Sequence, residues 1–231
     1  MAHGKGGALA CSGRCRQATL VVGLETRVIL IRTGETSWHE QDRLVGQRDP
    51  SLSATGQAQA EKAAALLTRL SVTELLSSPL QRAVQTAQII GKQCDIDMAR
   101  DQRLSALSWG AWEGQTNEAL HEDPLFQRFL ARPTDVRPPG GEGIEVARRR
   151  AVAAIEQALG DAASGDALAV VTHSTVIRMV LGHYLGAPVH SFQRMYVAPA
   201  SLSIISFGHG QAARMVALNW CDDLKRTVQI P

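Results

Sequence analysis

The stretch Val28-Ile29-Leu30-Ile31-Arg32-Thr33-Gly34 decides the fold class of this chain. Four consecutive apolar residues stop at an Arg-Thr-Gly sequence, which is typical of a buried strand that ends in a loop. A second continuous apolar run, Ala167–Thr172, stops in the same way at His173-Ser174. Strands without a polar face are buried on both sides, as in parallel sheets that helices cover.

Helical patterns alternate with strand patterns along the rest of the chain. Helices are predicted at residues 54–70, 80–92, 144–159 and 175–184, and further strands at residues 72–76, 201–207 and 214–218. This alternation predicts an α/β fold, a three-layer α/β/α sandwich with a mostly parallel sheet. Residues 27–231 are expected to form one domain. Residues 1–26 are rich in Gly and Ala, have no acid before Glu25, and are expected to form a disordered tail.

Composition excludes several classes of function. The net charge of +2 over 231 residues is too small a bias to indicate nucleic-acid or membrane-surface binding. No apolar run approaches the ~20 residues of a membrane-spanning helix. Four dispersed cysteines indicate reduced thiols and a cytoplasmic location. Weaker alternatives are an organelle transit peptide within residues 1–26 and a zinc site at Cys11 and Cys15.

Three candidate functional residues follow strand ends. Arg32 follows the first strand, Arg82 lies early in the helix after the second, and His173 follows the last long strand. Ligands bind where strand ends meet helix N-termini in such sheets, and two guanidiniums with an imidazole suit a phosphate dianion. Taken singly, each residue also fits an ordinary structural role, as a salt-bridge arginine or a hydrogen-bonded core histidine.

Seven sequence blocks, in order, resemble those of the histidine phosphatase (phosphoglycerate-mutase-like) superfamily. They lie at residues 29–38, 43–49, 52–60, 77–87, 109–114, 139–142 and 171–178. The first contains Arg32-Thr33-Gly34-Glu35-Thr36-Ser37-Trp38, and the fourth contains Ser77-Ser78-Pro79-Leu80-Gln81-Arg82-Ala83. The resemblance implies the phosphoglycerate-mutase-like fold in its small phosphatase branch, and no metal or organic cofactor. It implies phosphate or substrate binding by Arg32, Gly34, His39, Arg82, His173 and Ser174.

The sequence departs from the family pattern at the catalytic positions. Thr33 stands where the family has the histidine that takes up the phosphoryl group, and Ala106 stands at the position of the acidic proton donor. A threonine hydroxyl is a poor nucleophile without an adjacent base. Losing the general acid as well removes a factor of typically 10²–10⁴ in rate. Three further departures from the family pattern are His39 for Asn, Gly143 for Ser and Ser174 for Gly.

These departures leave three functional hypotheses. One is a pseudophosphatase that binds a small phosphorylated metabolite, with no nucleic-acid or membrane partner and with a homodimer left open. Another is a phosphate-substrate enzyme that uses His39 or His173 as its base, or takes a proton from Glu35 or Glu113. A third is a protein-interaction module that uses the basic run Arg148-Arg149-Arg150, which otherwise forms a solvated face.

Overall fold

A six-stranded mixed sheet is the centre of the computed structural model, which describes residues 25–208 and 210–221. Its strands are β1 Thr26–Arg32, β2 Glu74–Ser77, β3 Met98–Arg100, β4 Ala167–Thr172, β5 Leu202–Phe207 and β6 Arg214–Trp220. They are arranged in the order β3-β2-β4-β1-β5-β6. The first four in that order are parallel, β5 is antiparallel to β1, and β6 is antiparallel to β5. The carboxyl ends of β2, β4 and β1 therefore lie side by side.

Helices connect the strands and cover the sheet. They are α1 Ser37–Glu40, α2 Ala54–Leu67, α3 Gln81–Cys94, α4 Asn117–Glu122, α5 Pro124–Ala131, α6 Ile144–Asp161 and α7 Ser174–Tyr184. Short 3₁₀ helices occur at Gln102–Leu104, Gly110–Trp112 and Val189–Arg194. No helix in the described ranges is both long and apolar enough to cross a bilayer.

Strand β1 explains why the structure has three layers. Val28, Ile29, Leu30 and Ile31 are all fully buried, so the strand presents apolar side chains to both faces of the sheet. Val28 and Leu30 pack in one core with residues of α6 and α7, and Ile29 and Ile31 pack in a second core with residues of α2 and α3. Burial on both faces is what the continuous apolar run predicted, and the α/β/α fold is confirmed.

Most predicted elements are present, with shifted ends. The strand predicted at residues 167–172 has those bounds, and α2 ends at Leu67, three residues before the predicted end. The sequence prediction contained no element at β3, α1, α4 or α5. Glu25 and Thr26 were assigned to the tail, but Thr26 begins β1, and Glu25 forms an ion pair with Arg214. The disordered tail predicted for the preceding residues lies outside the described residues, as does the zinc site at Cys11 and Cys15.

Two glycines allow the loop after β1 to pack on the start of α2. A Cβ atom at Gly34 would lie 2.3 Å from the carbonyl oxygen of Gly56, and one at Gly56 would lie 2.0 Å from that of Glu35. Neither distance is possible for a real side chain. Ser53, the N-cap of α2, accepts a hydrogen bond from the Gly56 amide at 3.1 Å and completes this junction.

Candidate active site

A cavity of about 200 Å³, partly open to solvent, lies at the carboxyl ends of β1 and β4 and beside the first turn of α3. Seven of the residues selected from the sequence line it, namely Arg32, Thr33, His39, Arg82, Ala106, His173 and Ser174. The strand order brings them together, because β4 lies between β1 and β2.

Arg32 is a cation held at the end of β1. Its Nη1 donates a hydrogen bond of 2.6 Å to the carbonyl oxygen of Val197, which fixes the guanidinium. Burial, with a smaller contribution from the charge of Arg178, lowers the pKa of Arg32 to about 10. The group is therefore protonated at neutral pH, and it has donors left for a ligand.

Arg82 is a second cation, in the first turn of α3, and its side chain is buried. Its Nη2 donates to the Gly46 carbonyl oxygen at 2.6 Å, and its Nη1 donates to that of Arg48 at 2.8 Å. Burial is the main reason that the pKa of Arg82 is lowered to about 10, and the charge of Arg32 lowers it further. The two cations disfavour each other, so an anion between them would stabilise both.

His39 is a neutral hydrogen-bond donor. The backbone N–H of Thr36 donates to His39 Nδ1 at 3.1 Å, and the Thr36 hydroxyl lies 2.9 Å from the same nitrogen. A backbone N–H can only donate, so Nδ1 is unprotonated and the ring proton is on Nε2. Burial, then the charges of Arg32 and Arg82, lower the pKa of His39 to about 3. His39 is therefore a neutral donor, as Asn would be at this position, where the family resemblance often predicts it.

His173 is the N-cap residue of α7 and is buried. Its Nε2 lies 2.8 Å from Ser78 Oγ, and this oxygen accepts a 3.3 Å hydrogen bond from the Leu80 amide. Burial lowers the pKa of His173 well below its usual value, and the charge of Arg82 is the next cause. Ser78 orients His173, a role that was not predicted from the sequence. Its position beside the start of α3 in the fourth family block was the available signal.

Thr33 follows the last residue of β1, and the family resemblance predicts the nucleophile at this position. Its backbone is tied to neighbouring segments, because its amide donates to the Thr172 carbonyl at 3.0 Å and its carbonyl accepts from the Ala200 amide at 3.3 Å. The side-chain hydrogen bonds of His39 and His173 go to Thr36 and Ser78, not to the Thr33 hydroxyl. In the part of the chain described, no hydrogen bond therefore joins the Thr33 hydroxyl to either histidine.

The loop that carries Ala106 is held by a half-buried arginine. Arg150 donates to the carbonyl oxygens of Arg103, Ser105 and Ala106 at 2.6, 2.7 and 3.1 Å. It also forms a two-fold ion pair with Glu142, with both N···O distances at 2.7 Å. The backbone at residue 106, where the family resemblance predicts the acid, is therefore fixed, although the side chain there is only a methyl group.

The basic run at residues 148–150 is not the solvated face that the sequence predicted. Arg149 is exposed, but Arg148 is half-buried, pairs with Glu145 at 2.8 Å, and donates to His183 Nδ1 at 3.0 Å. Arg150 has the partners given above. The prediction failed because helix α6 turns two of the three arginines toward neighbouring segments, which charge counting along the sequence does not show.

Acidic side chains do not line the cavity within the described residues. Glu113 is buried and accepts hydrogen bonds at Oε1 from the amides of Gln47 and Trp109, both at 3.0 Å. Glu35 is also outside the lining. Both residues considered as proton sources are therefore displaced from the site.

Gly34 and Gly143 also lie outside the lining. The Gly34 amide, which was predicted to bind the ligand, donates to Thr86 Oγ1 of α3 at 3.2 Å. Gly143 is the N-cap residue of α6. Residues that the sequence analysis did not select as site residues complete the lining, namely Arg43, Leu44, Val45, Gly46, Leu107, Trp109, Asn117 and Thr175.

The lowered pKa of His39 predicts acid sensitivity. Between the ordinary histidine value of 6.5 and about 3, the unfolded chain binds a proton here that the folded protein does not. The free energy of unfolding should therefore fall as pH drops through this window. Between pH 7 and pH 5 the free energy of unfolding, measured by urea titration, should fall by about 1–2 kcal/mol less in His39→Asn than in the unmodified protein. His121→Asn, at an exposed position, is the control. If the unfolding free energy of His39→Asn falls as much as that of the unmodified protein, the lowered pKa of His39 is contradicted.

Comparison with known proteins identifies the family. A model of the histidine phosphatase superfamily (branch 1) matches residues 28–221. Bifunctional protein Rv2228c of Mycobacterium tuberculosis is 36% identical over 187 residues, which are 80% of this chain but 51% of that protein. The chain thus spans about half the length of this relative. Probable phosphoglycerate mutase GpmB of Salmonella choleraesuis is 32% identical over 196 residues, covering 84% of this chain and 89% of GpmB.

Structural comparison gives the same fold. A phosphoserine phosphatase from Entamoeba histolytica, solved as a histidine-to-alanine mutant in complex with phosphoserine, superposes with a TM-score of 0.74 at 24% identity. The superposition covers 84% of this chain and 96% of the phosphatase. The match to the family model and the similarity to GpmB confirm the family resemblance found in the sequence. This chain belongs to the histidine phosphatase superfamily, branch 1.

Proposed function

We propose that the protein binds a small phosphate monoester in this cavity and has lost the phosphohistidine mechanism of its family. The observation that carries the proposal is the pairing of two charged arginines, Arg32 and Arg82, in a site that no acidic side chain lines within the described residues. Charge-assisted hydrogen bonds from arginine to phosphate are among the strongest in proteins. Two such cations beside each other favour a dianion.

Neutral donors support the same ligand. In our proposal, His39 Nε2–H donates to a phosphate oxygen, and His173 and Ser174 complete the binding site at the start of α7. A helix N-terminus favours a phosphate through its free amides and its dipole. The groups that hold the ligand would then keep the same protonation states throughout the neutral pH range.

Loss of catalysis follows in this proposal from Thr33 and Ala106. Phosphoryl transfer through the protein requires a nucleophile, and neither His39 nor His173 is hydrogen-bonded to the Thr33 hydroxyl. Departure of the alcohol requires a proton donor, and a methyl group at position 106 supplies none. We infer that the site retains binding groups and lacks both reacting groups.

An enzyme that uses a histidine base is the second candidate. His39, with a pKa of about 3, is too weak a base at neutral pH, because general bases work best with pKa values near the operating pH. His173 is held by Ser78 and buried, and its pKa is also lowered. The interaction-module hypothesis loses support as well, because only Arg149 of the basic run is exposed.

The phosphoserine complex gives a precedent for binding. That phosphatase holds phosphoserine in a crystal although one of its histidines is alanine. A member of this fold can therefore retain a phosphate ester with a histidine missing. We carry over to our chain the class of ligand, a small phosphate ester, and not its identity.

The proposal predicts binding without turnover. Titration calorimetry should detect inorganic phosphate or vanadate binding, and p-nitrophenyl phosphate should show no hydrolysis above background. Acid-quench labelling should detect no phosphoenzyme. Turnover on the order of the ~10 s⁻¹ of a typical enzyme would contradict the loss of catalysis. Absence of phosphate binding would contradict the site itself.

A further inference from the structure

Part of the cavity lining is apolar. The apolar residues, which we call the apolar wall, are Leu44, Val45, Ala106, Leu107 and Trp109. They come from two segments of the chain, residues 44–45 and 106–109. Arg32 and Arg82 belong to the same lining, so the cavity combines charged groups with apolar ones.

The apolar wall is rigid. Trp109 packs edge-on against Phe129 with ring centroids 5.2 Å apart, and it belongs to an aromatic cluster with Trp112 and Phe126. The backbone of Leu44 is fixed by hydrogen bonds with Gln115 at 2.9 Å and Gly114 at 2.8 Å. A wall supported in this way presents a preformed surface to a ligand.

We propose that the ligand is a phosphate monoester whose organic part is apolar, an aryl or branched alkyl phosphate, and that this part lies on the apolar wall. The inference rests on the proposed function, because the arginines must hold the phosphate. The cavity of about 200 Å³ has more room than a phosphate group alone fills. Apolar surface at the wall is removed from water most favourably by an apolar group.

A second acidic group on the ligand is the competing possibility, and Arg43 would be its partner. Arg43 Nη1 already donates to the Gly114 carbonyl oxygen at 2.6 Å, and its Nε donates to Gln41 Oε1 at 3.0 Å. These bonds join two loops and leave fewer donors for a carboxylate. The observations therefore favour an apolar organic group over a charged one.

A ligand series tests the proposal with the unmodified protein. Dissociation constants are measured by calorimetry for inorganic phosphate, ethyl phosphate, phenyl phosphate and 3-phosphoglycerate. We expect phenyl phosphate to bind about tenfold more tightly than ethyl phosphate, the effect of burying roughly half of an aromatic ring. Tighter binding of 3-phosphoglycerate than of phenyl phosphate would overturn the proposal. If no member binds, the proposed function itself fails.

A variant locates the organic group. Leu44→Asn, at a half-buried position, should weaken phenyl phosphate binding about tenfold and change inorganic phosphate binding less than twofold. The matched control is Leu185→Asn at an exposed position outside the lining. Equal weakening of both ligands in Leu44→Asn would overturn the placement. If that variant does not fold, Ala106→Ser adds a hydroxyl to the wall and should weaken phenyl phosphate selectively, and an equal effect on phosphate would again contradict the proposal.

Discussion

The double variant Thr33→His/Ala106→Glu should gain phosphatase activity that neither single change produces. The first change places an imidazole at the end of β1 beside Arg32, and the second places a carboxyl group in the cavity on a loop that Arg150 already fixes. Residues that act as one catalytic unit are strongly non-additive. We expect p-nitrophenyl phosphate turnover about 10²–10⁴-fold above that of Thr33→His alone, the usual contribution of a general acid.

Matched controls separate chemistry from packing. Thr33→Asn/Ala106→Gln has similar side-chain volumes and neither reacting group, so it should fold, bind phosphate and remain inactive. The active variant should also trap an acid-labile phosphoryl group at residue 33. A folded double variant that binds phosphate without forming this phosphoenzyme would contradict the prediction. His39 and Ser174, which also depart from the family pattern, would then be the next residues to replace.

Replacing Arg82 by Ala should weaken phosphate binding roughly ten- to a hundredfold. The reason is that charge-assisted hydrogen bonds are typically worth about 1.5–3 kcal/mol, and Arg82 is one of two buried or half-buried arginines in the lining. Calorimetry with inorganic phosphate measures the effect. Arg82 also donates to the Gly46 and Arg48 carbonyls, so the free energy of unfolding must be measured in parallel.

Two further variants show whether the loss of phosphate affinity is specific to the Arg82 guanidinium. Arg48→Ala removes a neighbouring exposed guanidinium but keeps the backbone carbonyl, and phosphate affinity should change less than twofold. Arg82→Lys keeps the positive charge but lacks the planar guanidinium. Its phosphate affinity should lie between those of the unmodified protein and Arg82→Ala. Unchanged affinity in Arg82→Ala would remove the basis for the pocket.

The sheet was predictable from the sequence where its strands are continuous and apolar. β1 and β4 have this pattern, since both are buried on two faces, and the bounds of β4 were obtained without error. β3 has only Met98, Ala99 and Arg100, without β-branched residues, and forms by pairing with β2. Such a short edge strand depends on its neighbour rather than on its own sequence.

The short helices α4 and α5 had local signals that the sequence analysis did not use. Thr116 caps α4 and Asp123 caps α5, where Pro124 follows at the first helical position. The composition of the site was predictable from motif order, because strand ends of a parallel sheet converge. Its electrostatics was not, since the tautomer of His39 and the bond of His173 to Ser78 depend on contacts between distant segments.

The contact between Gly34 and Gly56 bears on how motif matches in this family are interpreted. Gly34 belongs to the family's first motif, yet its lack of a side chain is required by the approach of the β1 loop to α2, at the distances given above. A protein could therefore lose every reacting group and still keep this glycine, because folding demands it. A motif search that scores Gly34 as evidence of activity would count a packing requirement as chemistry. Mutational libraries aimed at new activities should hold residues 34 and 56 constant and vary residues 33, 39 and 106.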